Sequence, residues 1–341
     1  MNSLIKMLLI SAAATFIIAC GDDRNAPDVS QIKVDVKINR LEQAIFAIDT
    51  NHIAQDWRSF SAKYPEFAAV FPRVIGVNTA DSLKTLEALT FFLKDIDIRK
   101  QYDTCMTSYK DVRNLESDLS QAFKYYKYYF PRRTIPQVNS CVSGLNYGCF
   151  IYGDSVPSIG ISWEFYLGKG YTGYEYNGDR FPRYVARSMN REHLVSKVVE
   201  NLAQDVLGEA AGNRLIDIMV NNGKKLYIID KLLPFAPDSV KLEYTAAQTT
   251  WIVDNEANLW SHFTNENLLY STKMDEIRKL VSPSPNAPKM PAEAPGKTAN
   301  WIGFQIIKAY MKRFPNTSMD ALLALPDAQK ILEMSKYKPK R

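Results

Sequence analysis

The stretch Leu194-Val195-Ser196-Lys197-Val198-Val199-Glu200-Asn201-Leu202-Ala203-Gln204-Asp205-Val206 decides the fold class. Its apolar residues fall at 194, 195, 198, 199, 202 and 206, the three-and-four spacing that gathers them on one face of a helix. The same pattern continues outward. Leu215–Leu233 follows Gly212, Thr245–Phe263 carries Trp251, Ile252, Leu259, Trp260 and Phe263 at helical spacing, and Trp301–Arg313 and Met319–Met334 close the chain as helices. Upstream, Leu83, Leu86, Leu89 and Phe92 repeat behind the capping candidates Thr79 and Asp81, and Val112, Leu115, Leu119, Phe123, Tyr126 and Phe130 repeat until Pro131 stops them.

Two segments break the helical pattern. Ile32-Lys33-Val34-Asp35-Val36-Lys37-Ile38 alternates with period two and predicts a half-buried strand. Pro136–Ile161 consists of short apolar runs punctuated by Gly144, Gly148, Gly153 and Gly160, which predicts a small antiparallel sheet. Ser282–Pro295 holds five prolines and reads as a stiffened connector. The expected class is therefore α+β, mostly helical, with a small antiparallel sheet, in a single domain over 32–341. No internal repeat of 20–50 residues is present.

The N-terminus reads as an address. Lys6 supplies a positive charge, Met7–Ile18 is an unbroken run of apolar and small residues, and Ile17-Ile18-Ala19-Cys20 is a lipobox. Residues 1–19 are the expected lipoprotein signal peptide, and residues 20–31 are the acylated Cys20 and its tether. About twelve apolar residues cannot span roughly 30 Å of hydrocarbon, whereas several acyl chains make a stable anchor. The expected location is the cell envelope, at the outer membrane. Asp22-Asp23 after the anchor resembles a surface-export signal and is also ordinary tether composition, so the periplasmic and surface faces both stay open.

Cleavage after Ala19 would leave 322 of the 341 residues, enough for one large domain or two small ones at roughly 100–200 residues each. With 46% hydrophobic and 23% charged residues the chain fits neither a disordered nor a polytopic membrane protein. The formal charge of +5 falls to +4 with Lys6 and is too diffuse for a nucleic-acid binder. Tyr125-Tyr126-Lys127-Tyr128-Tyr129-Phe130-Pro131-Arg132-Arg133 interleaves bases and aromatics, but tyrosines at a helix end pack well while keeping a hydroxyl wet. No nucleic-acid partner is expected.

Export to an oxidising compartment permits disulfides. Cys141 and Cys149 flank a glycine-containing turn and could bridge a hairpin; alternatively they and Cys105 are small buried hydrophobes. The histidines are His52, His193 and His262, none four residues from another, so no His-Glu-x-x-His zinc helix can form. Gly-x-Ser-x-Gly, P-loop and dinucleotide-binding fingerprints are also missing. No catalytic residue, metal or cofactor is expected from these patterns. Glu200 and Asp205, inside or beside the apolar stripe, are candidate buried carboxylates with either a structural or a functional partner.

The succession Tyr129-Phe130-Pro131, Ile161-Ser162-Trp163-Glu164-Phe165-Tyr166-Leu167-Gly168, Gly223-Lys224-Lys225-Leu226-Tyr227 with Leu232-Leu233-Pro234, Trp260 with Leu268-Leu269-Tyr270-Ser271, Trp301–Met311 and Ser335-Lys336-Tyr337-Lys338-Pro339 resembles the gliding motility lipoprotein GldB family, in order over nearly the whole mature chain. That family is similar to predicted zinc proteases in which a His-Glu-x-x-His helix is followed by a helix supplying a Glu just before a Gly. Laid on this chain, the first motif falls on Val199-Glu200-Asn201-Leu202-Ala203 and the second on Asn222-Gly223. Glu200 alone matches. The resemblance thus implies a zincin-like scaffold whose metal ligands are replaced by Val199, Ala203 and Asn222, and a non-catalytic, pseudo-protease role supporting the gliding and type IX secretion machinery through envelope protein partners. Its vacated cleft, between the 199–203 helix, the 222–223 turn and a sheet edge, would be either an open docking groove or packed core. Two rival functions stand beside this one: a sugar- or peptide-capturing lipoprotein using Tyr166, Tyr171, Tyr174 and Tyr176, and a hydrolase with an unrecognised site.

Overall fold

The computed structural model describes residues 26–154 and 156–340. The signal, the lipobox and Cys20 lie outside the described residues.

The chain enters along 32–37, where the expected alternation is present in burial but not in pairing. Val36 and Ile38 face inward, and Lys33, Asp35 and Lys37 face solvent. Only Ile38–Arg40 forms a strand, β1. The helices α1 (Leu41–Phe46), α2 (Ile53–Lys63), α3 (Pro65–Val74), α4 (Ser82–Lys94), α5 (Ile96–Ser108) and α6 (Arg113–Tyr129) follow. The segment before β1 runs beside α6, whose side chains take its backbone donors: Val36 N donates to Ser120 Oγ at 2.8 Å and Ile38 N to Glu116 Oε1 at 3.0 Å. A buried backbone donor needs a partner, and here a helix face supplies it in place of a strand.

Three more strands complete the sheet: β2 (Gln137–Cys141), β3 (Cys149–Tyr152) and β4 (Ser158–Ser162). The order is β1-β2-β4-β3, with β1 and β4 both parallel to β2 and only β3 antiparallel to β4. The sheet is mixed, which corrects the antiparallel expectation. A parallel pair needs a long crossover, and the six helices between β1 and β2 provide it. Gly160 of β4 is required where it stands, because the ring of Phe150 on β3 occupies the space a Cβ would fill.

The β2–β3 connection explains why Cys141 and Cys149 do not face each other. Glu164, fully buried after β4, accepts from Ser143 N at 2.7 Å, Ser143 Oγ at 2.5 Å and Leu145 N at 3.2 Å, and so pins the turn over the sheet. β4 then lies between the two cysteine strands, with Cys141 paired to Ser162 and Cys149 to Ile161. Two strand spacings of about 4.8 Å exceed the reach of a disulfide. Cys105, Cys141 and Cys149 are free thiols, so the bridge expected between Cys141 and Cys149 is replaced by its alternative, small residues packed against the core.

The remainder is helical: α7 (Thr172–Tyr176), α8 (Arg183–Ala186), α9 (Arg191–Leu207), α10 (Leu215–Leu232), α11 (Asp238–Leu242), α12 (Ala246–Asp254), α13 (Glu256–Asn265), α14 (Met274–Val281), α15 (Thr298–Arg313), α16 (Met319–Leu323) and α17 (Ala328–Ser335). The continuous helices expected over 245–263 and 319–334 are each two. Asn255 breaks the first, where Glu256 turns inward to take Tyr337 OH at 2.9 Å. Residues 324–327, with Pro326, break the second before Asp327 caps α17. One apolar core joins the N-terminal helices, the sheet and the C-terminal helices. Among the described residues no helix is long and apolar enough to cross a membrane.

Candidate functional site

The helix that decided the fold class also builds the site. Asn190 caps α9 by accepting from His193 N at 3.2 Å, and Gly208 ends it with a positive φ of 72°. Leu194, Val198, Val199, Leu202 and Ala203 face the core, whereas Lys197, Glu200 and Asn201 face two adjoining cavities of about 250 and 360 Å³. Those cavities share a wall made by Lys197, Glu200, Glu243 and Lys297.

The wall is an alternating array of charge. Lys197 Nζ bonds Glu200 Oε2 at 3.1 Å and pairs with Glu243 Oε1, Lys297 Nζ reaches Glu243 Oε2 at 2.7 Å, and Lys225 Nζ lies 3.7 Å from Glu200 Oε1. Two of the four come from strained backbone. Glu243, just after α11, has φ 58°, and Lys297, just before α15, has φ 61°. A non-glycine residue in the left-handed region costs about 1–3 kcal/mol and persists only where its surroundings hold it. The surroundings here are explicit: Arg187 Nη2 donates to Glu243 O at 2.7 Å, and Tyr244 OH donates to Gly296 O at 2.7 Å.

Electrostatics within the wall favour the ionised forms. Burial alone would raise the Glu243 carboxyl, but Lys297 and Lys197 outweigh it and hold the group well below the usual carboxylate range. Glu200 is likewise driven up by burial and brought below its ordinary value chiefly by Lys197. At the end of the sheet, Cys149 lines the smaller cavity, and burial pushes its thiol up to about 12.

The residues assigned from the degenerate protease motif separate. Glu200 lines both cavities and Asn222 lines the larger one, donating from Nδ2 to Asn300 Oδ1 at 2.9 Å. Val199 and Ala203 are fully buried on the opposite face of α9 and do not border the cavities. Asn222-Gly223 is mid-helix in α10 and not a turn. Asp205 is exposed, so of the two candidate carboxylates only Glu200 is built into a network. Tyr125, Tyr126 and Phe130 are core residues. Of the four tyrosines considered for ligand capture, Tyr166 lines the smaller cavity, Tyr174 is buried with its OH donating to Glu164 O at 2.7 Å, and Tyr171 and Tyr176 border a different hollow beside α5. Sequence reading missed Lys197, Arg187, Glu243 and Lys297. Lys197 and Glu200, three apart on a helix, were a visible signal, but nothing local joins Glu243 to Lys297 across 54 residues.

Among the described residues, no group of three or more His, Cys, Asp or Glu side chains could hold a metal ion. The array can hold an anion or a polar partner segment, since its lysines present ammonium groups to both cavities. A family model described as gliding motility protein GldB matches residues 22–339. No curated protein and no solved structure matches the chain.

Proposed function

Because the chain belongs to the gliding motility protein GldB family, we propose that it is a lipid-anchored envelope protein that supports gliding motility, and with it type IX secretion, by holding a partner protein and not by turning over a substrate. The observation that carries this reading is the wall of Lys197, Glu200, Glu243 and Lys297. Its carboxylates are tied into ion pairs that hold them ionised, and a general acid or base near neutral pH needs the opposite, a carboxyl free to exchange its proton. The neighbouring Cys149 thiol is protonated at neutral pH, so it is a poor nucleophile. Glu200 and Asn222 are the positions of the protease motif that border the cavities; Val199 and Ala203 point into the core, so the motif as laid on this chain does not surround a vacated metal cleft.

The location follows from Cys20. Cys20→Ser should accumulate as a precursor that takes up no palmitate. For the interaction itself, a photo-crosslinking amino acid at Tyr184, on the cavity wall, should yield discrete adducts with another envelope protein in intact cells. Hydrolysis of a peptide or ester library by the purified chain, abolished in Glu200→Gln, would overturn the non-catalytic reading.

A further inference from the structure

The charge in the wall does not balance. At the smaller cavity Lys197, Lys297 and Arg187 bring three positive charges and Glu200 and Glu243 two negative ones; the larger cavity adds Lys225, and its Lys241 is paired with Asp230 and Asp238. These groups are largely out of water: the side chains of Lys197, Lys225 and Lys297 are 27%, 20% and 19% exposed and that of Glu243 is 14% exposed. Charges so placed are ordinarily matched, because the attraction of a counter-charge is what offsets their lost hydration. Arg187 spends one donor on Glu243 O, and its Nε has no hydrogen-bond partner. A surplus of one positive charge therefore stands beside the smaller cavity and wants an anion.

The smaller cavity is also lined by apolar groups. Phe165, Tyr166, Phe181, Tyr184 and Met189 border the same space of about 250 Å³, which is on the scale of one large side chain with its backbone. A bare phosphate would satisfy the cations and leave those rings in contact with water, and a second negative charge on it would be repelled by Glu200 and Glu243. A group carrying one negative charge next to an apolar side chain uses both sets of lining groups.

We infer that the cavity between α9, Glu243 and Lys297 binds the C-terminal residue of a partner chain, its α-carboxylate against Lys297, Lys197 and Arg187 and its apolar side chain against Phe165, Phe181 and Tyr184. Capture of a terminal carboxylate gives orientation through charge-assisted hydrogen bonds and selectivity through the side-chain pocket. The inference rests on the docking reading given above and narrows it to a chain end.

The test is calorimetric titration of the full-length chain, purified from membranes in detergent, with acetyl-Gly-Gly-Phe as free acid, the same peptide as C-terminal amide, 3-phenylpropionate and inorganic phosphate. The free acid should bind saturably and the amide at least tenfold more weakly, a comparison that needs no variant. Glu200→Gln, which raises the surplus charge, should tighten the acid several-fold, and Lys297→Met with an unchanged melting profile should weaken it tenfold or more. Equal binding of acid and amide would overturn the carboxylate and leave peptide docking standing. Phenylpropionate binding as tightly as the peptide, or phosphate displacing it, would reassign the site to a small anion. No binding by any probe would also overturn the inference, while crosslinking from Tyr184, which uses no probe, would decide the docking reading separately.

Discussion

Gly223 of α10 and Gly303 of α15 meet backbone to backbone at the crossing of the two helices. A Cβ on Gly223 would collide with the carbonyl carbon of Gly303, and one on Gly303 with the carbonyl oxygen of Met219. This crossing sets the larger cavity, because Asn222 and Lys225 stand beside Gly223, and Lys297 and Asn300 lie one to two turns before Gly303. The close approach also brings Asn222 within hydrogen-bond reach of Asn300.

Gly303→Ala and Gly223→Ala should therefore each lower stability by about 1–3 kcal/mol, the range for forcing a methyl into a packed contact. The double variant should fall short of additivity, since the first methyl already separates the helices. Urea unfolding of the three variants measures this, and an unchanged midpoint in Gly303→Ala would show that the helices are free to part.

Ala203→Arg distinguishes the two faces of α9. Ala203 is fully buried, so a charged side chain there should destabilise by several kcal/mol through overpacking and an unpaired buried charge. Asn201→Ala, on the cavity face, should cost far less, losing one bond from Asn201 Nδ2 to Lys197 O at 2.9 Å. Thermal melts that rank the two variants the other way would put the open face on the Val199–Ala203 side.

Glu243 predicts a pH dependence with a definite sign. Burial raises its carboxyl, but Lys297 and Lys197 lower it further, so its folded value lies below the unfolded value near 4.5. A carboxyl with a depressed folded value adds stability above the unfolded value, and that stability is lost as pH falls below it. Denaturant unfolding between pH 6 and pH 3 should show a steep acid limb in the native chain and a shallower one in Glu243→Gln. Superimposable limbs would mean that the pairing contributes nothing to folding.

The thiols should be reduced and slow. Cys105 and Cys141 are fully buried, and burial raises all three thiols. Native alkylation with iodoacetamide at pH 8 should be slow at each and rapid after unfolding. A peptide map without reductant should contain no Cys141–Cys149 linkage, and finding one would contradict the strand order.

Periodicity alone determined the four longest helices, α6, α9, α10 and α15, because an amphipathic stripe such as 194–206 or 112–130 can bury its apolar face in only one way. It also located the glycine-rich sheet segment. Strand partners were decided by tertiary structure: short apolar runs and glycines mark 136–161 as strands, but β4 lies between Cys141 and Cys149, with Glu164 holding the 143–145 turn through a contact about twenty residues away. The site divides in the same manner. Glu200 was legible because a carboxylate within an apolar helix is conspicuous, whereas its network was not, since Glu243 and Lys297 stand in separate loops and carry no local pattern. Their left-handed backbones and shared ion pair exist only because α9, α10 and α15 pack around them, and packing at a distance is the part of folding that residue spacing does not encode.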